Sequence, residues 1–95
     1  MALTADDDML FVRQYRPAVE QVTLELPSGH VDLGESPEMS AQKELLEETG
    51  YEAQTLYHLG TLVPDTGRLG NRLWCYLALN ATQTTGKIEA GLDLF

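Results

Sequence analysis

The sequence predicts an α/β fold in which strands precede and follow one helix. Runs of β-favouring residues occupy both ends of the chain, and the segment from about Pro37 to Thr49 carries helix signals. The composition, 43% hydrophobic and 22% charged, is typical of a folded globular domain. Because 95 residues bury only a small core, we expect a single domain, residues 1–95, with a mixed sheet beside the helix.

Three strands are predicted before the helix. Ala2–Thr4 is a short strand that a polar turn connects to the β-rich run Met9–Tyr15, so the chain is expected to begin with a hairpin. Pro17 follows the end of that run. Gln21–Leu26 then alternates apolar and polar residues, which predicts a third strand. The sequence Pro-Ser-Gly that ends at Gly29 terminates this strand, and a loop follows.

The helix is predicted from its two ends. Ser36 is a favourable N-cap residue, and Pro37 suits the first helical position. Glu38 is suited to the positive end of the helix dipole. Gly50 can adopt the left-handed conformation that follows many helices. The sequence therefore predicts a helix from about Pro37 to Thr49.

Two further strands are predicted after the helix, at Tyr51–Leu62 and Asn71–Asn80, separated by a loop that contains proline and glycine. No element is assigned to residues 86–95. Cys75 is the single cysteine, which excludes an internal disulfide, and its apolar neighbours indicate a packing role within the second strand.

The charge pattern excludes some partners. A net charge of −9 repels nucleic acid phosphates, so no polynucleotide is expected to bind. No apolar run is long enough to cross a membrane, and Met1–Asp8 does not resemble a leader, so a cytoplasmic protein is expected. Five of the fifteen carboxylates fall between Glu35 and Glu48, which indicates a cation site.

Three glutamates carry the metal prediction. Glu44, Glu47 and Glu48 are spaced i, i+3 and i+4, so a helix places them on one face, where like charges repel. Lys43 is the one countercharge on the helix. Oxygen ligands suit Mg²⁺ or Mn²⁺, which also bind substrate phosphate and water. The alternative is that these glutamates form a solvated acidic face.

The loop and helix together resemble a known signature. Residues 29–51, GHVDLGESPEMSAQKELLEETGY, are similar to the Nudix box, a 23-residue loop-helix motif of diphosphate hydrolases. Lys43 stands where the family has arginine, whose planar fork differs from a point charge, and Tyr51 replaces an aliphatic residue. The resemblance implies a Nudix α/β/α sandwich, here reduced at both ends.

The resemblance also implies roles for individual residues. Glu44 and Glu48 would be metal ligands, and Glu47 a ligand or a supporting group. The backbone carbonyl of Ser28 or Gly29 would complete the ligand set. In such enzymes the metals bind the diphosphate, stabilise developing negative charge and help to activate water. Glu35 would support this site.

Residues 12–29, VRQYRPAVEQVTLELPSG, resemble the segment before the box in ADP-ribose pyrophosphatases and ADP-sugar hydrolases. This resemblance implies that Arg16 contacts the substrate, against the alternative of a surface arginine. Glu25 is a candidate for a place beside the metals. Arg68 and Arg72 are candidates for substrate contact or for solvated loop charges. The two histidines, His30 and His58, have no ligand-like spacing.

The catalytic glutamate usual in that subfamily would fall beyond Phe95. Glu89 is the candidate within the chain, because it matches the approximate location of a late metal-site glutamate in some other Nudix branches. Two functions therefore stay open: a hydrolase of a small nucleoside diphosphate derivative such as ADP-ribose, and a shortened, catalytically weak module that binds metal and nucleotide or assembles with a partner. Strand edges exposed by the short ends predict a homodimer, with strand exchange as one form of it.

Overall fold

The computed structural model describes residues 1–84 and 91–95, which form seven strands and one helix. The strands are β1 (Ala2–Thr4), β2 (Leu10–Arg16), β3 (Gln21–Glu25), β4 (Tyr51–Glu52), β5 (Leu56–Leu62), β6 (Leu73–Gln83) and β7 (Gly91–Leu94), and the helix is α1 (Pro37–Thr49). The predicted α/β class is confirmed. Within this part of the chain no helix is long and apolar enough to span a membrane.

The ends of α1 are the predicted ones. Ser36 adopts an extended conformation and its hydroxyl accepts a hydrogen bond from the amide of Met39 at 3.1 Å, while Pro37 occupies the first turn. Gly50 has φ of 74° and donates its amide to the carbonyl of Leu46 at 2.8 Å. A cap of the serine type contributes about 1 kcal/mol to helix stability. Both caps fix the rotation and length of α1.

The strands form two sheets. In the first, β6 pairs with β1 in parallel and with β4 and β5 in antiparallel orientation. The second is antiparallel, with β2 between β3 and β7. The parallel β1–β6 pair makes the architecture mixed, as expected. The longest strand, β6, therefore joins segments from both ends of the chain.

The predicted N-terminal hairpin is met only in part, by one antiparallel bridge between Leu3 and Met9. The ladder of β1 is formed with β6 instead. The predicted turn is present, because the Thr4 hydroxyl accepts hydrogen bonds from the backbone amides of Asp6 and Asp8. Ala2 and Thr4 are buried against the first sheet, and the sequence of β1 does not reveal this distant partner.

Three further strand bounds differ from expectation. The predicted strand Tyr51–Leu62 is divided into β4 and β5, since residues 53–55 leave the ladder. The predicted strand Asn71–Asn80 begins at Leu73 and continues to Gln83, where it pairs with β4. β7 occupies part of the segment left unassigned and pairs with β2.

The core is small and joins both sheets to the helix. Leu10 of β2 and Leu45 of α1 are its large members, and they pack with the small residues Ala2, Ala78 and Ala81 of the first sheet. Alanine on the facing strands allows close approach of these layers. Burial of Leu45 fixes the side of α1 that faces inward, and the adjacent positions of the same helix then border a cleft.

Candidate active site

An open cleft of about 1510 Å³ contains most of the candidate residues. It is lined by parts of β2 and β3, the loop before α1, one side of α1, and the β5–β6 pair. The candidates that line it are Arg16, Glu25, Ser28, Gly29, Glu44, Glu48 and Arg72. These residues come from four separate parts of the sequence, so the fold assembles one potential site.

α1 contributes two carboxylates to this cleft. Glu44 is half-buried, and Glu48 is 7% exposed, so its carboxylate is largely removed from bulk water. Both flank Leu45, whose burial in the core directs this side of the helix inward. Glu47 is half-buried but does not line the cleft. In residues 1–84 and 91–95, no three His, Cys, Asp or Glu side chains converge as a preformed metal cluster.

Gly29 is in unusually close contact with Glu44. A Cβ atom placed on Gly29 would lie 2.6 Å from Oε1 of Glu44, and closer still to its Cγ and Cδ atoms. Only a residue without a side chain leaves room for the carboxylate in this position. The loop backbone and the helix carboxylate therefore meet directly at the wall of the cleft.

Arg16 is held in the cleft by a bidentate ion pair with Glu25. Its Nε and Nη2 atoms donate to Oε2 and Oε1 of Glu25, each at 2.6 Å. The hydroxyl of Thr23 also donates to Glu25. All three residues project from the same face of the β2–β3 ladder, on which Gln14 lies opposite Thr23. Glu25 lines the cleft with Arg16 as its partner, and its place beside the metals stays a prediction.

This pair is firmly ionised. Hydrogen bonds from Arg16 and then Thr23 lower the pKa of Glu25 to about 2. The hydrogen bond and charge of Glu25 raise the pKa of Arg16, with a smaller contribution from the charge of Glu48. The pair uses two of the five N–H donors that an arginine side chain carries. Arg16 is thus an oriented cation beside the carboxylates of α1.

Lys43 connects the helix to the preceding loop. Its Nζ donates to Oδ2 of Asp32 at 3.0 Å and lies 3.5 Å from Oε1 of Glu35. The hydrogen bond and charge of Asp32 raise the pKa of Lys43, and the pKa of Asp32 is lowered in return. Sequence reasoning missed Asp32, because a loop residue eleven positions away has no periodic relation to the helix. The available signal was the basic residue Lys43 in the box, which favours an acidic partner in the preceding loop.

The other candidates divide between the cleft and its surroundings. Arg72 lines the cleft, whereas Arg68 forms an exposed ion pair with Asp65 at 3.0 Å, as a loop charge would. Cys75 is half-buried within β6. Glu89 lies outside the described residues. Of the candidate arginines, Arg16 and Arg72 therefore line the cleft.

The family assignment follows from a comparison with known proteins. A sequence profile of the NUDIX domain matches residues 1–93. The chain belongs to the Nudix family. The resemblance of residues 29–51 to the Nudix box is thus part of a match that extends over nearly the whole chain, and the Nudix fold explains the loop, helix and sheets around the cleft.

Several relatives of this Nudix chain have been named. It is 32% identical over 95 residues to an ADP-ribose pyrophosphatase of Bacillus subtilis, covering 100% of this chain and 51% of the relative. A methanol dehydrogenase activator of Bacillus methanolicus is 32% identical over 93 residues, with 98% and 49% covered. An ADP-sugar pyrophosphatase of Mus musculus is 46% identical over 46 residues, with 48% and 21% covered. The chain spans about half the length of the two bacterial relatives.

A solved structure shares the fold. The crystal structure described as an ADP compounds hydrolase superposes with a TM-score of 0.82 and 26% sequence identity. The superposition covers 100% of this Nudix chain and 53% of the other. The overall arrangement of α1 and the strands is therefore shared with that hydrolase.

Proposed function

We propose that the chain hydrolyses the diphosphate bond of a nucleoside diphosphate derivative, ADP-ribose or another ADP-sugar, to AMP and a sugar phosphate. The observation that carries this proposal is the meeting of Arg16, Glu44 and Glu48 in one open cleft. A diphosphate needs cationic partners, and the carboxylates suit a divalent metal that would provide them. The names of the Bacillus subtilis and mouse relatives support the substrate class.

Mg²⁺ or Mn²⁺ fits the residues present. Glu44 and Glu48 offer carboxylate oxygens, and the backbone at Gly29 lies directly against the Glu44 side chain at the wall of the cleft. Mg²⁺ usually takes only one or two protein carboxylates and keeps water and phosphate as its other ligands. We assign Glu44, Glu48 and the carbonyl of Ser28 or Gly29 to the metal. Glu47 stays a predicted ligand or supporting group.

The bound metal would screen the diphosphate charge and lower the pKa of attacking water. Arg16 would donate to a diphosphate oxygen and, because Glu25 fixes its guanidinium, would lose little side-chain freedom on binding. The buried carboxylate of Glu48 lies near this cation, so substrate and ligands would be held in a partly dehydrated site. Glu35 and Lys43 would fix the loop that carries Ser28 and Gly29.

A second function is the alternative to hydrolysis. Among residues 1–84 and 91–95, no group of three His, Cys, Asp or Glu side chains converges to hold a metal ion. A chain that holds nucleotide and metal without a residue to accept the proton from water would bind its ligand and turn it over weakly. The alternative is therefore a module that binds metal and nucleotide or assembles with a partner.

A substrate panel separates the two functions. The purified chain is incubated with Mg²⁺ and with ADP-ribose, a second ADP-sugar and a dinucleotide, and products are resolved by chromatography. The hydrolase produces AMP together with the matching sugar phosphate. Saturable binding of these compounds by calorimetry, with no product from any of them, would support the binding module and contradict the hydrolase.

Lys43→Arg is expected to retain or increase activity. An arginine fork can bind both Asp32 and Glu35, which already lie 3.0 and 3.5 Å from the lysine nitrogen. Initial rates of AMP release should stay at or above those of the wild type, whereas Lys43→Met should reduce them because the loop loses its connection to α1. A strong loss in Lys43→Arg would show that Lys43 has another role.

A homodimer is expected through β3. It lies at one end of the β3-β2-β7 sheet, and on the described residues its outer side has no strand partner. Val22 and Leu24 on this strand are 61% and 45% exposed. Such edges favour pairing with another chain. Sedimentation at micromolar concentration should give a dimer, with strand exchange as one form of it.

Val22→Lys should shift that dimer towards monomer, because it places a charge on the edge strand. Leu33→Lys is the matched control, since Leu33 is fully exposed in a loop before α1. A wild-type chain that sediments as a monomer would contradict the homodimer.

A further inference from the structure

Three aromatic rings form a row on the β5–β6 ladder. His58 of β5 lies directly opposite Tyr76 of β6, and their ring centroids are 5.1 Å apart with an interplanar angle of 33°. Trp74 lies two residues before Tyr76, on the same face of β6, with its ring centroid 6.3 Å from that of His58. The row is therefore a feature of the strand register.

The row borders the cleft that holds the charged residues. Ala78, next on the same face of β6, is buried in the core, while Tyr76 and Trp74 line the cleft together with Arg16 and Glu48. Trp74 remains 39% exposed. One part of the cleft is thus charged and another aromatic.

We infer that Trp74 and Tyr76 form the stacking surface for the base of the bound nucleotide. The inference rests on the proposed function and adds to it a place for the base. A nucleoside diphosphate has an anionic part and a planar aromatic part, which match the two parts of the cleft. Stacking of a base on an aromatic side chain contributes substantially to nucleotide binding and depends little on base identity. His58 acts as a positioning residue that supports both rings from the neighbouring strand.

The alternative is that the aromatic row only stabilises the sheet and does not contact a ligand. Aromatic neighbours on adjacent strands also stabilise a sheet. In that case substitutions would lower the stability of the chain and leave its affinity for a base unchanged. The two roles thus differ in a binding measurement.

Trp74 is the single tryptophan of the chain, so tryptophan fluorescence, excited selectively over that of the four tyrosines, reports on this surface alone. The chain is titrated with AMP and, separately, with ribose 5-phosphate, both in the presence of Mg²⁺. AMP should quench the fluorescence saturably, and ribose 5-phosphate, which has a phosphate and no base, should leave it nearly unchanged. Equal responses to the two compounds, or no response to AMP, would overturn the inference.

Variants provide a second test, in which AMP affinity is measured by calorimetry and folding by circular dichroism. Trp74→Leu and Tyr76→Leu should each weaken AMP binding about tenfold, and Trp74→Phe should retain most of it. Tyr57→Leu is the matched control, because Tyr57 is 52% exposed on β5 and pairs with Leu77, one position along the ladder from the His58–Tyr76 pair. Wild-type AMP affinity in both Trp74→Leu and Tyr76→Leu, or a tenfold loss in Tyr57→Leu as large as theirs, would overturn the inference.

The outcomes separate this inference from the proposed hydrolysis. If AMP quenches the fluorescence of Trp74 but ADP-ribose is not cleaved, the stacking surface is supported and the proposed hydrolysis is contradicted. If ADP-ribose is cleaved but AMP has no effect on the fluorescence of Trp74, the hydrolysis is supported and the stacking surface is contradicted.

Discussion

Glu48→Gln is expected to lower metal-dependent turnover by at least about a hundredfold. The substitution removes a charge from a carboxylate that is 7% exposed in the cleft and changes the side-chain volume very little. A neutral amide is a poor ligand for Mg²⁺ where a carboxylate is needed, so metal affinity and rate should fall together. Initial rates over a Mg²⁺ titration measure both quantities.

The control for this variant is Glu38→Gln. Glu38 is an exposed carboxylate in the first turn of the same helix and does not line the cleft. Its substitution removes an equal charge from α1 and should leave turnover close to that of the wild type. Wild-type rates in Glu48→Gln, with circular dichroism unchanged, would rule out Glu48 as a metal ligand.

Gly29→Ala is expected to reduce turnover by about tenfold, the range seen when groups that orient metal ligands are altered. The new methyl group would occupy the space of the Glu44 carboxylate, so the flexible end of Glu44 must move away from the loop. Since Glu44 can relieve this contact by rotation, the fold should persist while the ligand geometry changes. Rates and Mg²⁺ affinity, measured together, test this expectation.

Gly67→Ala is the matched control. Gly67 lies in the loop before β6, and a Cβ atom placed on it would meet nothing within 4 Å. Both substitutions add one methyl group and restrict the unfolded chain in the same way. An equal effect of the two variants on turnover would contradict a specific role for the contact between Gly29 and Glu44.

The local parts of the fold were predictable from sequence. The bounds of α1 follow from Ser36, Pro37 and Gly50, whose effects operate within one helical turn. Strand partners are a different matter. Nothing near Ala2 shows that β1 adds in parallel to β6, because this pairing joins residues some 76 positions apart, as in Ala2 and Ala78. Such pairings depend on how distant apolar faces pack.

The site shows the same division. The i, i+3, i+4 spacing predicted one face for Glu44, Glu47 and Glu48; Glu44 and Glu48 line the cleft, whereas Glu47 does not. The ion pairs of Arg16 with Glu25 and of Lys43 with Asp32 could not be derived from the sequence. Each pair depends on where the fold places a neighbouring strand or loop. The aromatic row, likewise, requires the register of β5 against β6.

Release of AMP from ADP-ribose by the purified chain, with and without Mg²⁺, decides whether the chain is a metal-dependent hydrolase. We expect AMP and ribose 5-phosphate in equal amounts, formed only when the metal is present and suppressed again by a chelator. A chain that binds Mg²⁺ and ADP-ribose measurably, yet forms neither product above the rate of the uncatalysed reaction, would contradict the proposed hydrolysis.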